Sequence, residues 1–188
     1  MKSIVTTIVL AVLFLNSAFS NESSHWNYLE VSRIILQSDT SGENPEGFGI
    51  DSKYTLNEMV YLTAAYQQYG TSSNDIDRIL VGFGAKYTVN ENVTPFAQFT
   101  YVDIESSTSS LSVGINYWII GLGVAGEFEK ISYKAGLNRY VESSLNAADD
   151  TGFFIEAYYS INNEFSAGLE VESIDNKELY NIAIRYHF

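Results

Sequence analysis

Hydrophobic and polar positions alternate along most of this chain, most strictly at its end. Tyr180, Ile182, Ile184, Tyr186 and Phe188 share one face, and Asn181, Ala183, Arg185 and His187 share the other. A period of two belongs to a β-strand with different surroundings on its two sides. Read in this way, the chain predicts strands at about 26–36, 47–56, 59–69, 77–89, 93–104, 111–128, 131–141, 152–161, 165–173 and 179–188. The apolar parity carries Leu29 and Val31, then Phe48, Ile50 and Tyr54, then Val60, Leu62, Ala64 and Tyr66. It continues through Ile79, Val81 and Phe83, through Phe99 and Tyr101, through Tyr133 and Leu137, and through Phe153, Ile155, Leu169 and Val171.

The apolar face of the last strand runs to the final residue. Chain ends usually fray, so a soluble protein seldom finishes on its most hydrophobic strand face. A transmembrane β-barrel must do so, because its last strand closes on its first and leaves no edge. A recurring phrase supports that organisation: Tyr54-Thr55-Leu56-Asn57-Glu58, Tyr87-Thr88-Val89-Asn90-Glu91 and Tyr159-Ser160-Ile161-Asn162-Asn163-Glu164. The second interval is about twice the first, and each copy reads as a strand end followed by a tight polar turn. Phe128-Glu129-Lys130-Ile131 is the candidate for the intervening, degenerate copy. These turns alternate with looser connections at 37–46, 70–74, 106–109, 142–151 and 175–177, the asymmetry expected between the periplasmic and outer sides. The predicted fold is all-β, an antiparallel up-and-down transmembrane β-barrel of ten strands, with eight as the alternative count.

Strand six carries a conflict. Leu111, Val113 and Ile115 alternate on one parity, and Trp118, Ile120, Leu122 and Val124 on the other. That switch requires a bulge near Asn116, or an outer half that has left the membrane. A single strand projecting above the membrane keeps the count even and the terminus on the periplasmic side.

Aromatic residues sit where two girdles are expected. Tyr54, Tyr87, Phe128, Tyr133, Tyr159, Phe165, Tyr186 and Phe188 flank the tight turns, while Phe48, Tyr66, Tyr101, Trp118, Phe153 and Tyr180 lie nearer the looser loops. A soluble β-sandwich would show the same alternation with its apolar face turned inward. It leaves the terminal Phe and the alternation of turns without a cause.

The start of the chain has a different character. Met1-Lys2, an apolar stretch over 4–15 and Ala18-Phe19-Ser20 together read as a secretory signal peptide over 1–20, with a barrel domain over 21–188. There is no cysteine, which excludes disulfides and thiolate metal sites. The formal net charge of −13 excludes binding of nucleic acid through phosphate contacts.

The polar parity points into the predicted lumen: Glu30, Asp51, Lys53, Arg78, Lys86, Glu127, Lys134, Glu156, Glu170, Glu172 and Arg185. Long side chains largely fill a barrel of this size, and buried charges must be paired. Two readings follow, a salt-bridged plug or a thin channel whose carboxylates favour cations. No catalytic, cofactor or metal site is predicted. His25 and His187 become neighbours at the seam of a closed barrel, but no carboxylate pattern converges on them. The loop serines lack a base, and Gly82-Phe83-Gly84 and Gly121-Leu122-Gly123 mark bends or close side-chain approach rather than a phosphate loop. The acidic loop stretches 38–44 and 146–150 lack calcium-loop spacing. They are expected to form an anionic outer surface bridged to lipopolysaccharide by divalent ions, or to meet an extracellular ligand.

The ending Ile184-Arg185-Tyr186-His187-Phe188 resembles the terminal signature of bacterial outer-membrane proteins. With Asn27-Tyr28-Leu29-Glu30-Val31, Gly47-Phe48-Gly49-Ile50 and Phe96-Ala97-Gln98-Phe99-Thr100-Tyr101-Val102-Asp103, it makes residues 26–188 similar to the small OmpA-like and OmpX-like, porin-family barrels. That resemblance implies residence in the outer-membrane lipid. It also implies recognition of Tyr186 and Phe188 by the barrel-assembly machinery. It carries over no catalytic residue, and a wall-binding domain after Phe188 is not expected. A non-enzymatic structural or surface-interaction role is the first expectation, a narrow cation-preferring channel the second and an outer-membrane enzyme the third.

Overall fold

The computed structural model describes residues 26–38, 43–90, 92–108, 111–142, 150–175 and 177–188. The expected signal peptide and His25 lie outside them, as does most of each acidic loop stretch. Ten strands follow one another: β1 (Tyr28–Ser38), β2 (Glu46–Thr55), β3 (Val60–Gly70), β4 (Asp75–Lys86), β5 (Thr94–Ser107), β6 (Ser112–Phe128), β7 (Ile131–Glu142), β8 (Thr151–Ser160), β9 (Phe165–Ile174) and β10 (Lys177–His187). Each pairs antiparallel with its chain neighbours, and β1 closes on β10 from Tyr28 opposite His187 to Ser38 opposite Lys177. The result is the expected closed up-and-down barrel, with strand ends within a few residues of those read from alternation.

The apolar parity faces outward. Val31, Leu62, Val81, Leu122, Leu137, Ile155, Leu169, Ile182 and Ile184 are all exposed on the barrel wall. Rings flank this band. Phe99 stacks on Trp118 at 4.6 Å between centroids and Tyr101 meets Trp118 at 4.9 Å, while Phe165 meets Tyr186 at 5.3 Å near the chain terminus. No helix among the described residues is long and apolar enough to cross a membrane. The strands supply the crossing, since a closed ladder satisfies every backbone group within it.

Strand β6 settles its conflict without a bulge. Its register is unbroken against β5 from Thr94–Ala125 to Ser107–Ser112, and against β7 from Tyr117–Glu142 to Phe128–Ile131. Val113 and Ile115 therefore keep the parity of the buried Ile119. What changes is the surroundings. The described β7 pairs no further than Tyr117, and beyond it the β5–β6 hairpin stands above the wall with Leu111 and Val113 exposed.

The repeated phrase is a turn device. Asn57 Oδ1 accepts from the Met59 and Val60 amides, Asn162 Oδ1 from the Glu164 and Phe165 amides, and Asn90 Oδ1 from the Asn92 amide, all at 2.8–2.9 Å. In each copy the preceding apolar residue donates its amide to a carbonyl four residues on, as Leu56 does to Val60. Such Asx turns hold the chain reversal with one side chain. The degenerate copy works differently: Glu129 adopts a φ of 55° in a two-residue reversal between Phe128 and Ile131. The expected contrast in loop length is weaker than predicted. Connections 71–74, 108–111 and 175–176 are shorter than 87–93 on the opposite end and 39–45 only equals it, so 143–150 alone is longer. Turn residues follow local backbone chemistry, and a short reversal suits either end of a barrel.

Inside, aromatic rings fit over glycines directly opposite them. Tyr61 pairs with Gly84, Phe96 with Gly123, Phe154 with Gly136 and Tyr158 with Gly168. A Cβ at any of these glycines would press on the facing ring, at 2.6 Å from Tyr158 Cγ and 2.8 Å from Phe154 Cζ. The Gly-x-Gly stretches thus make room for a packed interior, as close side-chain approach in a strand requires.

Candidate functional site

The polar parity meets in the lumen. Glu30, Asp51, Lys53, Arg78, Lys134, Glu156, Glu170, Glu172 and Arg185 all line one mid-lumen cavity of about 130 Å³. Glu127 lines a second cavity of about 370 Å³ on the short-turn side, among Thr88, Asn90 and Ser132. Lys86 is buried with its ammonium 5.0 Å from the centre of the Trp26 ring.

Arg185 is the hub. Its guanidinium donates through Nε to Glu30 and through Nη2 to Glu156 at 2.9 Å, and Lys134 Nζ donates to the same Glu156 oxygen at 3.0 Å. Tyr158 OH donates to Glu30 at 2.8 Å. The guanidinium also lies over the rings of Tyr158 and Tyr28, at 3.4 and 4.2 Å. These groups come from β1, β7, β8 and β10, so the network ties the closing seam to β7 and β8 over the intervening β9. Charges this deeply buried hold only when paired and hydrogen-bonded. Lys134, Glu156 and Arg185 line both cavities, which makes the network the partition between them.

Beside it, Trp26 packs on Tyr61 at 4.8 Å and on Phe96 at 5.7 Å, in one cluster with Ala125 and Phe154. Three ammoniums approach the indole: Lys53 at 5.3 Å, Lys86 at 5.0 Å and Lys134 at 5.5 Å. Three lysines therefore gather toward the short-turn end, while Arg78, Asp51, Glu170 and Glu172 lie beyond them. Glu172 accepts from Tyr140 OH and from Asn138 Nδ2 at 2.5 Å, and Glu170 accepts from Asn181 at 3.1 Å. Arg78 Nη1 donates to Gln67 at 3.2 Å. Toward the outer mouth the lining turns apolar, with Ile34, Tyr69 and Leu179 in one cluster and Val102, Ile119 and Tyr140 in another.

Three features escape a reading by parity and charge. Trp26, Tyr28, Tyr61 and Tyr158 lie on the polar parity, and an aromatic residue on the face opposite Leu29 and Val31 was the available signal. His187 Nε2 lies 2.8 Å from Ser166 Oγ, a serine–histidine contact that no sequence motif announces. Ser166 is 1% exposed, so the pair is sealed in the β9–β10 seam rather than open to a substrate. At the rim, the amide and hydroxyl of Ser72 both donate to Glu43 Oε2, at 3.1 and 2.8 Å, and these bonds hold the Glu43 carboxyl below the usual carboxylate range. Among the described residues, no group of three or more His, Cys, Asp or Glu gathers where it could hold a metal ion.

At the terminus, the Phe188 amide donates to the Asn27 carbonyl at 3.4 Å, and its ring stacks near Tyr54 and Tyr186, each at 6.4 Å. The profile of the Gram-negative porin family matches residues 18–179. No curated protein matches the chain. Among solved structures it is similar to the KdgM porin, at 11% identity and a TM-score of 0.48 over 86% of this chain and 99% of that one. It is similar to the N-terminal β-barrel domain of Pseudomonas aeruginosa OprF, at 14% identity and a TM-score of 0.47 over 86% and 98%. The NanC porin gives 9% identity and a TM-score of 0.49 over 85% and 100%.

Proposed function

The chain belongs to the Gram-negative porin family of outer-membrane β-barrels, and on that footing we propose that it is a closed, non-enzymatic barrel acting through its outer surface rather than as an open pore. One observation carries this reading: Arg185 bridges Glu30 and Glu156 across the lumen while Lys134 completes Glu156, so these charges are spent on one another. A conducting path needs groups free to exchange with passing ions. Here such a path would also meet the packed cluster of Trp26, Tyr61, Phe96 and Phe154. In this reading the rim loops meet lipopolysaccharide or an extracellular ligand, and the last strand with Tyr186 and Phe188 guides assembly.

A narrow channel is the second reading. It is favoured by the two cavities that meet at Lys134, Glu156 and Arg185, because movement of that one network would join them. Cation preference then becomes less natural than total charge suggests, because Lys53, Lys86, Lys134 and Arg185 stand between the short-turn end and Asp51. The sealed Ser166–His187 pair gives the enzymatic alternative no accessible nucleophile.

Conductance of the refolded protein in a planar bilayer tests the choice, with the mobility of an unboiled sample as the check on folding. The closed-barrel reading expects a folded but silent protein. A steady current that changes when Glu156 is neutralised supports the channel instead.

A further inference from the structure

We propose that the short-turn half of the lumen binds one small oxyanion, a phosphate or carboxylate group, between Lys53 and Lys134 beside Trp26. The lumen contains a cation left over from its own pairing. Lys53 is 6% exposed, and its ammonium lies over Tyr61 at 4.9 Å and over Trp26 at 5.3 Å. Among the described residues no carboxylate pairs with it. Of the acids on its cavity, Glu30 is committed to Arg185 and Tyr158, Glu156 to Arg185 and Lys134, Glu170 to Asn181 and Glu172 to Tyr140 and Asn138, while Asp51 forms no ion pair with it. Another ammonium, that of Lys134, shares its surroundings, at 5.5 Å from the same Trp26 ring and 5.3 Å from the Tyr28 ring that Lys53 approaches at 5.9 Å. Lys86, which has interactions of its own elsewhere, adds a third positive group at the same indole.

Two buried ammoniums over the same pair of rings repel in a medium of low polarity. Facing aromatic rings offset only part of that repulsion. An oxyanion shared by the two converts it into charge-assisted hydrogen bonds. The space is present. Lys53 lines the mid-lumen cavity of about 130 Å³, and Lys134 lies where this meets the cavity of about 370 Å³, which reaches Trp26 and Arg185 and carries the hydroxyl groups of Thr94 and Ser132 on its wall. The larger cavity is many times the roughly 30 Å³ of one water. Glu127 and Glu156 line it too, which favours a compact anion seated at the lysines over a long anionic chain laid along the wall. The site depends on the lumen geometry alone and stands whether or not the barrel conducts.

Trp26 is the natural reporter. The chain has two tryptophans, so Trp118→Phe leaves Trp26 as the single indole of the refolded protein. Inorganic phosphate is titrated against chloride at equal ionic strength, with malonate as a carboxylate probe. The expected result is a saturable change in Trp26 emission with phosphate, competed by malonate, absent with chloride and weakened at least about tenfold in Lys53→Gln, the weight of one charged contact. Equal responses to phosphate and chloride, or undiminished binding in Lys53→Gln, overturn the proposal. Should Lys53→Gln not fold, calorimetric titration of the unsubstituted protein decides. Saturable phosphate heat supports the site, and its absence overturns it.

Discussion

Arg185 and Glu30 are register partners across the seam where the last strand meets the first, and the guanidinium donates directly to the carboxylate. The bond joins residues at opposite ends of the chain inside a lumen where both are buried. Truncating one partner strands the others. Arg185→Ala leaves Glu30 and Glu156 without their shared cation, and a broken buried pair costs about 3–5 kcal/mol. Urea unfolding of the refolded protein in detergent should show that loss, with a smaller one for Glu30→Gln, which keeps an acceptor. A loss under about 1 kcal/mol for Arg185→Ala would mean that water, not protein, solvates these charges.

The glycines opposite aromatic rings make a second prediction with an internal control. At Gly84 a methyl group would press on Tyr61, which is fully buried, whereas at Gly114 the nearest atom is the Ile104 carbonyl oxygen at 3.9 Å. Gly84→Ala should destabilise by about 1–3 kcal/mol through overpacking. Gly114→Ala, on the projecting β5–β6 hairpin, should be close to neutral. Equal effects in thermal unfolding would show that the fit of ring over glycine is not what sets the cost.

Parity along β9 provides the third. Leu169 faces lipid and Glu170 faces the lumen, where Asn181 hydrogen-bonds it. Leu169→Arg should cost about 2–4 kcal/mol if its position is near mid-membrane. Glu170→Gln keeps a hydrogen-bonding group of the same shape and should cost less. Folding yield into lipid vesicles ranks the two, and the reverse order would place Leu169 inside.

That pair shows what was legible in the sequence. A period of two states which face a residue occupies, so the lumen positions from Glu30 to Arg185 could be named one by one. It does not state which residues meet across the ring, because that depends on the register of ten ladders together. The Glu30–Arg185–Glu156–Lys134 network and the Ser166–His187 contact were therefore invisible, although every member lay on the expected face. For Trp26 parity states the inward face, opposite Leu29 and Val31, but not the partners Tyr61 and Phe96, which come from β3 and β5. In β6 the signal left two causes open, a bulge or a projecting outer half, and the unbroken register decides for the projecting strand preferred on count: Val113 and Ile115 change surroundings, not parity.

The outer rim gives a pH-dependent prediction. Ser72 donates twice to Glu43, which holds that carboxyl below its ordinary range. A depressed acid stabilises the folded state while it is ionised. The tie between the two rim loops should be intact above the usual glutamate range and lost as pH falls through the lowered value. Amide exchange at Ser72 should quicken over that acid window, and Glu43→Gln should flatten the response. An exchange rate with the same acid dependence in both proteins would separate the loop contact from the carboxyl's charge.

The last residue closes the set, because its contacts lie on both sides of the seam. The Phe188 ring stacks near Tyr54 of β2 and Tyr186 of β10, while its amide reaches Asn27 just before β1. A side chain there stabilises the junction of first and last strands, the step that removes the open edges of the sheet. Phe188→Ala should therefore lower the yield of folded protein in the outer membrane more than Phe128→Ala, whose exposed ring lies beside a local two-residue reversal. In spontaneous refolding into detergent the two variants should differ less, since no assembly machinery reads the terminus there. If Phe188→Ala assembles in cells as well as the unsubstituted chain, closure is directed by the β1–β10 ladder alone and the terminal ring is only part of the interfacial girdle.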